Sequence, residues 1–281
     1  MIRTGLAAFT AMASLAVTAA MAAAAPDNNA YYSLIRTETG QNPPVGWTRL
    51  PIPAGSAEVA RDGFYADAFQ SEAGGQIVIA FRRLNPVPFI NMGTYDTDLL
   101  ILYNVVPTRY DQDVRAFVAA MKSVAVAQVP PLSTAPDNVF VTGNSLGAYG
   151  AQIAAKEFHY GGVGFAGPGI PSYRSPPDRA ANFTNYLRYG DPVANHASDA
   201  GIWWAGWPVM ARPGDHYGRI ERLGDSGSQF ALGTTVSLAA ISPVDLVQAV
   251  GLLGLGAEVG LWHMSPRYKT PLHIETLPTS R

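Results

Sequence analysis

The chain of 281 residues contains no cysteine. A thiol nucleophile, a Cys-ligated zinc site and a disulfide framework are thereby excluded, and the fold must stand on its packed core. Charge is also scarce. Lys, Arg, Asp and Glu make up 14 % of the residues, against about 25 % in an average soluble domain. The net charge of −2 carries no basic excess, so bulk electrostatics draws the protein neither to nucleic acid nor to an anionic membrane. The His and acidic residues lack paired spacing such as H-E-x-x-H, so no metal site is expected, and no cofactor is expected either. Neither an internal repeat nor an extended linker is visible. A surface so poor in charge suits contact with lipid.

The amino-terminal residues read as a leader. Arg3 is followed by an uncharged Ala/Leu/Val-rich run from Leu6 to Met21 and by small residues Ala22, Ala23 and Ala24. This is the layout of a secretory signal peptide over residues 1–24, with the mature protein secreted or periplasmic. Its loss would shift the net charge from −2 to about −3, because the segment holds Arg3 and no acid. Residues 25–281 are expected to form a single domain, large enough to bury a sufficient core.

The remaining pattern alternates between strand and helix. Residues 26–60 are rich in Pro, Asn and Gly and read as an irregular entry with one helix. Residues 63–70 and 76–81 read as strands joined by the turn Glu72-Ala-Gly-Gly75, an antiparallel hairpin. Asn85 to Thr94, with two prolines and a glycine, reads as a loop. From Asp111 onward, Val114, Phe117, Val118, Met121 and Val124 recur at helical spacing, with Asp111 and Asp113 at the end that favours acids. Pro130, Pro131 and Pro136 are expected to stop that helix. Gly161–Phe165 and Ala181–Tyr189 are further strand candidates, and Gln229–Leu261, broken by Pro243 and three glycines, reads as buried helices. Strands alternating with helices after a hairpin predict an α/β fold with a mainly parallel core.

The most informative stretch runs from Asn138 to Gly150. An apolar strand leads into Gly143-Asn-Ser145-Leu-Gly147 and then into a helix of small residues. This is the G-x-S-x-G pattern in the strand-turn-helix setting of a nucleophile elbow. A serine at so tight a turn occupies a strained backbone, and side chains two positions to either side would collide with the strand or the helix. Strain exposes the hydroxyl at the tip of the sheet. It also turns the first amides of the helix, Leu146 N–H among them, toward an oxyanion.

A serine nucleophile needs a base, and the base an orienting acid. In α/β-hydrolases the chain order is Ser, then Asp or Glu, then His. Asp191 follows a strand in a Gly-Asp-Pro turn, at the carboxyl edge where α/β sites form. A turn aspartate capping its own backbone fits the same residues. Of five histidines, His159 precedes any suitable acid and reads as a helix-end residue. His263, on a late segment Leu-Trp-His-Met, is the leading candidate, His216 its rival. His196 shares a loop with Asp191, and His273 lies in the tail.

Several of these segments together resemble the class 3 (fungal-type) lipase family of α/β-hydrolases. Ile77-Val-Ile-Ala-Phe-Arg82 is similar to that family's strand ending in Phe-Arg-Gly-Thr/Ser, and Tyr95-Asp-Thr-Asp-Leu99 to its Trp-x-x-Asp-Leu segment. Gly143–Gly147 matches its elbow, with Asn144 where the family usually has His. Phe165-Ala-Gly-Pro-Gly169 resembles its Phe-x-x-Pro-Gly segment, and Asn185–Val193 the stretch with its catalytic aspartate. His216-Tyr-Gly218 falls at a segment whose histidine is not catalytic in the family, and His263 with Tyr268 resembles its late catalytic segment. The likeness is collinear over roughly residues 60–270. It implies a mixed, mainly parallel sheet with helices on both faces and an antiparallel hairpin at the start. The implied triad is Ser145, Asp191 and His263. The family's hydroxyl-bearing oxyanion residue is missing, since Phe81-Arg82 continues as Arg83-Leu84, which leaves the Leu84 backbone amide to pair with that of Leu146.

The resulting expectation is an exported serine ester hydrolase, a lipase or esterase acting on a lipid or small ester, with glycerolipids or phospholipids suiting the composition. Trp203, Trp204 and Trp207 fit an interfacial lip or ordinary core packing equally. Alternatives are an acyltransferase or a polyester or sugar-ester esterase on the same triad. A catalytically silent lipid-binding protein, favoured only by Arg83-Leu84, is the third. Asn182-Phe-Thr184 fits a glycosylation sequon within an expected strand.

Overall fold

The computed structural model describes residues 24–37, 40–53, 64–73, 75–83, 100–101, 105–171, 178, 180–199, 214–228 and 272. Their strands form one sheet in the order β1 (Trp47–Arg49), β2 (Phe64–Ser71), β3 (Ile77–Arg83), β4 (Val139–Asn144), β5 (Gly161–Phe165), β6 (Phe183–Arg188) and β7 (Arg219–Leu223). The β1–β2 and β2–β3 pairs are antiparallel, and every pair from β3 to β7 is parallel. Among the described residues, the sheet is flanked by α1 (Asn28–Arg36), α2 (Thr108–Val126) and α3 (Leu146–Phe158). The architecture is α/β-hydrolase-like, as the sequence implied: a mainly parallel sheet with an antiparallel start and helices on both faces.

The faces follow from connection handedness. Strands β3, β4 and β5 advance one step at a time in one direction, and right-handed crossovers then place both connecting helices on the same side. Accordingly α2 and α3 pack with Phe64, Ile79, Phe81, Val139 and Val141 in one core cluster. The other face is covered by α1, whose Tyr31, Tyr32, Leu34 and Ile35 pack with Phe69, Val78, Phe140, Phe165 and Leu187. Asp27 caps α1, accepting the Ala30 N–H on Oδ1 at 2.8 Å.

Each helix has a sequence reason. In α2, Tyr110, Val114, Phe117, Val118, Met121 and Ala125 are buried, the i, i+4, i+7 stripe of a half-buried helix. In α3 every residue from Leu146 to Ala155 is buried, which the small residues permit. A Cβ on Gly150 would lie 2.9 Å from the Tyr110 hydroxyl, so that glycine lets the two helices touch. Phe64 stands edge-on to Phe81, Tyr110 and Phe117 in the core they share, contacts each worth about 0.5–1.5 kcal/mol beyond area burial.

A buried ion pair ties α1 to the sheet. Arg82 of β3 pairs with Asp67 of β2, with side-chain exposures of 6 % and 1 %, and donates to the Thr37 carbonyl just past α1. Its guanidinium also lies 4.6 Å from the centre of the Tyr65 ring, and Arg49 reaches Asp67 at 3.4 Å.

Three details differ from the sequence reading. Helix α2 begins at Thr108, three residues before the expected Asp111, because Tyr110 is its first core anchor. It ends at Val126, before the prolines at 130 and 131. Strands β1 and β7 were not anticipated; the first is three residues long and the second, Arg-Ile-Glu-Arg-Leu, has no buried face to mark it. The expected loop 85–94, the tryptophans at 203, 204 and 207, the apolar run 229–261 and residues 1–23, expected as a leader, lie outside the described residues. No described helix is long and apolar enough to cross a membrane.

Candidate functional site

Strand β4 ends at Asn144 and α3 begins at Leu146, so Ser145 alone makes the junction. Its backbone sits at φ 57°, ψ −126°, a region costing a non-glycine residue about 1–3 kcal/mol and held only where neighbours over-determine it. Here they do. Ser145 N–H donates to the Phe165 carbonyl of β5 at 2.9 Å, and the Ser145 carbonyl accepts from Ala148 N–H at 2.9 Å and Tyr149 N–H at 3.2 Å. Asn144 Nδ2 donates to the same Phe165 carbonyl at 3.2 Å. This contact occupies the position where the resembling family carries histidine.

The flanking glycines are sterically required. A Cβ on Gly143 would stand 2.1 Å from the Gly147 carbonyl oxygen, and one on Gly147 would stand 2.3 Å from the Phe81 carbonyl oxygen. Strand, turn and helix are therefore pressed together with no room for a side chain at either glycine. The second contact also places the first turn of α3 on the Phe81–Arg82 peptide, at the end of β3. Leu84 follows two residues after Arg82 and is outside the described residues.

Leu146 opens α3, and the first amides of any helix lack an intrahelical acceptor. They gather a partial positive charge where an anion is stabilised. The Leu146 carbonyl accepts from the buried Tyr110 hydroxyl at 3.1 Å, which fixes the first residue of α3 from the α2 side. Tyr110 is a site neighbour that its place in the α2 stripe did not reveal.

Asp191 lies three residues past the end of β6, fully buried. Because β5 separates β4 from β6, Asp191 and Ser145 emerge from the same carboxyl edge two strand spacings apart, roughly 10 Å. Asp191 N–H donates to Arg188 O at 3.2 Å. The Asp191 Oδ1 accepts from Val193 N–H at 2.9 Å and Ala194 N–H at 3.0 Å. The turn-capping role is thus real, and it fixes the carboxylate's orientation.

His263, with His273, lies outside the described residues. His216 is fully buried, and its ring is engaged on both sides. Nδ1 lies 2.8 Å from Asp199 Oδ1, and Nε2 lies 3.0 Å from the Gly167 carbonyl. Both partners are acceptors, so the ring is held in place from two sides. His216 N–H also donates to Asp199 Oδ2 at 2.8 Å. His196 is buried in the Asp191 loop, and His159 ends α3 in the left-handed conformation, φ 57°. Gln152 of α3 joins these segments, donating to Pro168 O at 2.8 Å and accepting from Tyr217 N–H at 3.0 Å. Among the described residues, no group of three His, Asp or Glu is placed to hold a metal ion.

No protein-family model matches this chain, and no curated protein does. Solved structures resemble it at low similarity. The extracellular lipase LipA of Serratia marcescens is 20 % identical over 55 % of this chain, with a TM-score of 0.39; the match spans only 29 % of that protein. The Lip2 lipase of Yarrowia lipolytica is 13 % identical over 66 % of this chain and 75 % of its own, TM-score 0.40. A triacylglycerol lipase of Penicillium expansum is 13 % identical over 72 % and 78 % respectively, TM-score 0.41. At these values the likenesses add nothing to the strand order and elbow geometry given above.

Proposed function

We propose that the protein is an exported serine ester hydrolase of lipase or esterase type, with residues 25–281 folding as one domain. The observation that carries this reading is the Ser145 backbone at φ 57°, ψ −126°, squeezed between two glycines that admit no side chain. A fold stores strain of this kind where it must present one side chain.

In this mechanism Ser145 Oγ attacks the ester carbonyl as His263 takes its proton, and the carbonyl π electrons move onto oxygen. Asp191 orients the imidazole and stabilises its charge. The Leu146 and Leu84 amides bind the oxyanion, each donor worth about 3 kcal/mol. Collapse breaks the bond to the alkoxide, which leaves with the histidine's proton. Water, deprotonated by the same histidine, then opens the acyl-enzyme to release the acid. The low content of charged residues, 14 % of the sequence, supports a lipid or other apolar ester as substrate, met at a lipid–water interface.

The test is turnover of p-nitrophenyl esters together with labelling by a fluorophosphonate probe. Wild-type protein is expected to hydrolyse and to be labelled at Ser145, and Ser145→Ala to do neither. Undiminished turnover by Ser145→Ala overturns the mechanism. Absence of labelling in the wild type would favour a silent lipid-binding protein, the reading to which Arg83-Leu84 lends support.

A further inference from the structure

The loop carrying Asp191 is held by two residues that the mechanism above does not use. Asn195 is 1 % exposed. Its Nδ2 bridges two carbonyls, Arg188 O at the end of β6 at 2.8 Å and Asp191 O at 2.7 Å. The Asn195 N–H adds a bond to Asp191 O at 3.0 Å. Its Oδ1 accepts from Arg222 Nη1 at 3.3 Å, while Arg222 Nη2 donates to Asp199 O at 3.4 Å. Arg222 stands on β7, beside β6, with its guanidinium 5.5 Å from the centre of the Tyr189 ring. One planar fork thus spans the loop from residue 195 to residue 199, and one amide ties the backbone of Asp191 to the strand it leaves.

We infer that Arg222 and Asn195 are positioning residues that lock the Asp191 carboxylate toward the catalytic base. This rests on the hydrolase reading. The carboxylate bonds to Val193 and Ala194 set its orientation within the loop, and the Asn195–Arg222 clamp adds side-chain bonds that join the loop to β6 and β7 of the sheet from which Ser145 also emerges. A fork that reaches two acceptors in fixed directions is a property of arginine, and lysine offers the same charge as a single point without it. The clamp therefore acts through geometry, not through its charge.

Charge-conserving variants test this: Arg222→Lys and Asn195→Ala, assayed by steady-state kinetics across pH on a soluble ester. Both are expected to lower kcat by roughly 10–100-fold, the scale of a misplacement near 1 Å, with KM little changed. A carboxylate beside an imidazole favours the charged ring. Its displacement lowers the pKa of the base, so the acidic limb of kcat/KM is expected to move to lower pH. Variants that melt earlier yet keep the wild-type kcat and acidic limb would overturn the inference and leave the clamp a stabilising contact only. If Asn195→Ala does not fold, Arg222→Lys decides alone. Wild-type protein that neither turns over nor takes up the fluorophosphonate sinks the hydrolase reading and this inference with it, an outcome distinct from active wild type with unaffected variants.

Discussion

Replacing Ser145 by glycine is expected to stabilise the protein while abolishing its activity. The strain at φ 57°, ψ −126° costs a residue bearing Cβ about 1–3 kcal/mol, and glycine escapes most of it. Against that gain stands the extra chain entropy of an unfolded glycine, about 0.5–1 kcal/mol. The net is about 1 kcal/mol in favour of glycine, or a rise of roughly 2–4 °C in Tm for a domain of this size. The backbone bonds that hold the turn, to Phe165 O and from Ala148 and Tyr149, survive the change because none uses the side chain. The proper reference is Ser145→Ala, which also lacks the hydroxyl but keeps the Cβ and hence the strain. The assay is thermal unfolding of both variants in one buffer, with fluorophosphonate labelling as the activity control. Both should be unlabelled, and the glycine variant should melt above the alanine variant. A glycine variant melting at or below it would refute the reasoning, because the seryl conformation would then store no recoverable energy.

Two further outcomes follow from the core. Arg82→Met leaves Asp67, 1 % exposed, with Arg49 at 3.4 Å as its remaining cation among the described residues; the expected loss is about 3 kcal/mol, a fall in Tm of roughly 6–12 °C, and an unchanged Tm would contradict the buried pairing. Burial pushes the Tyr160 hydroxyl up to about 12 from about 10 in the unfolded chain. The folded state thus keeps a proton that the unfolded state sheds, so this stabilisation is complete below about pH 10 and fades as pH climbs through about 12. Urea midpoints of Tyr160→Phe are expected to decline less steeply over that window, and identical slopes would exclude the effect.

The sequence disclosed the elbow because its constraint is local. Gly143, Ser145 and Gly147 are close in the chain, and the clash each glycine avoids involves the adjoining turn or the end of β3. The hairpin β2–β3 was legible for a similar reason, since alternation and a Glu-Ala-Gly-Gly turn lie within one short window. The Gly-Asp-Pro pattern placed position 191 in a turn past a strand, as observed, while the residues alone left its capping and catalytic readings level. The clamp was invisible. Asn195 and Arg222 are 27 residues apart in the chain, and no spacing rule links an amide to a guanidinium at that distance. Strand β7 was missed because its charged residues mimic a solvated loop, and the engagement of His216 with Asp199 and Gly167 joins three distant segments.

The acceptor that holds the Ser145 amide lies 20 residues downstream, at Phe165. As the polypeptide emerges from a ribosome, the serine therefore remains an ordinary, relaxed residue until β5 has been made and has docked beside β4. Its strained posture is acquired late and from outside, only once its sheet is built.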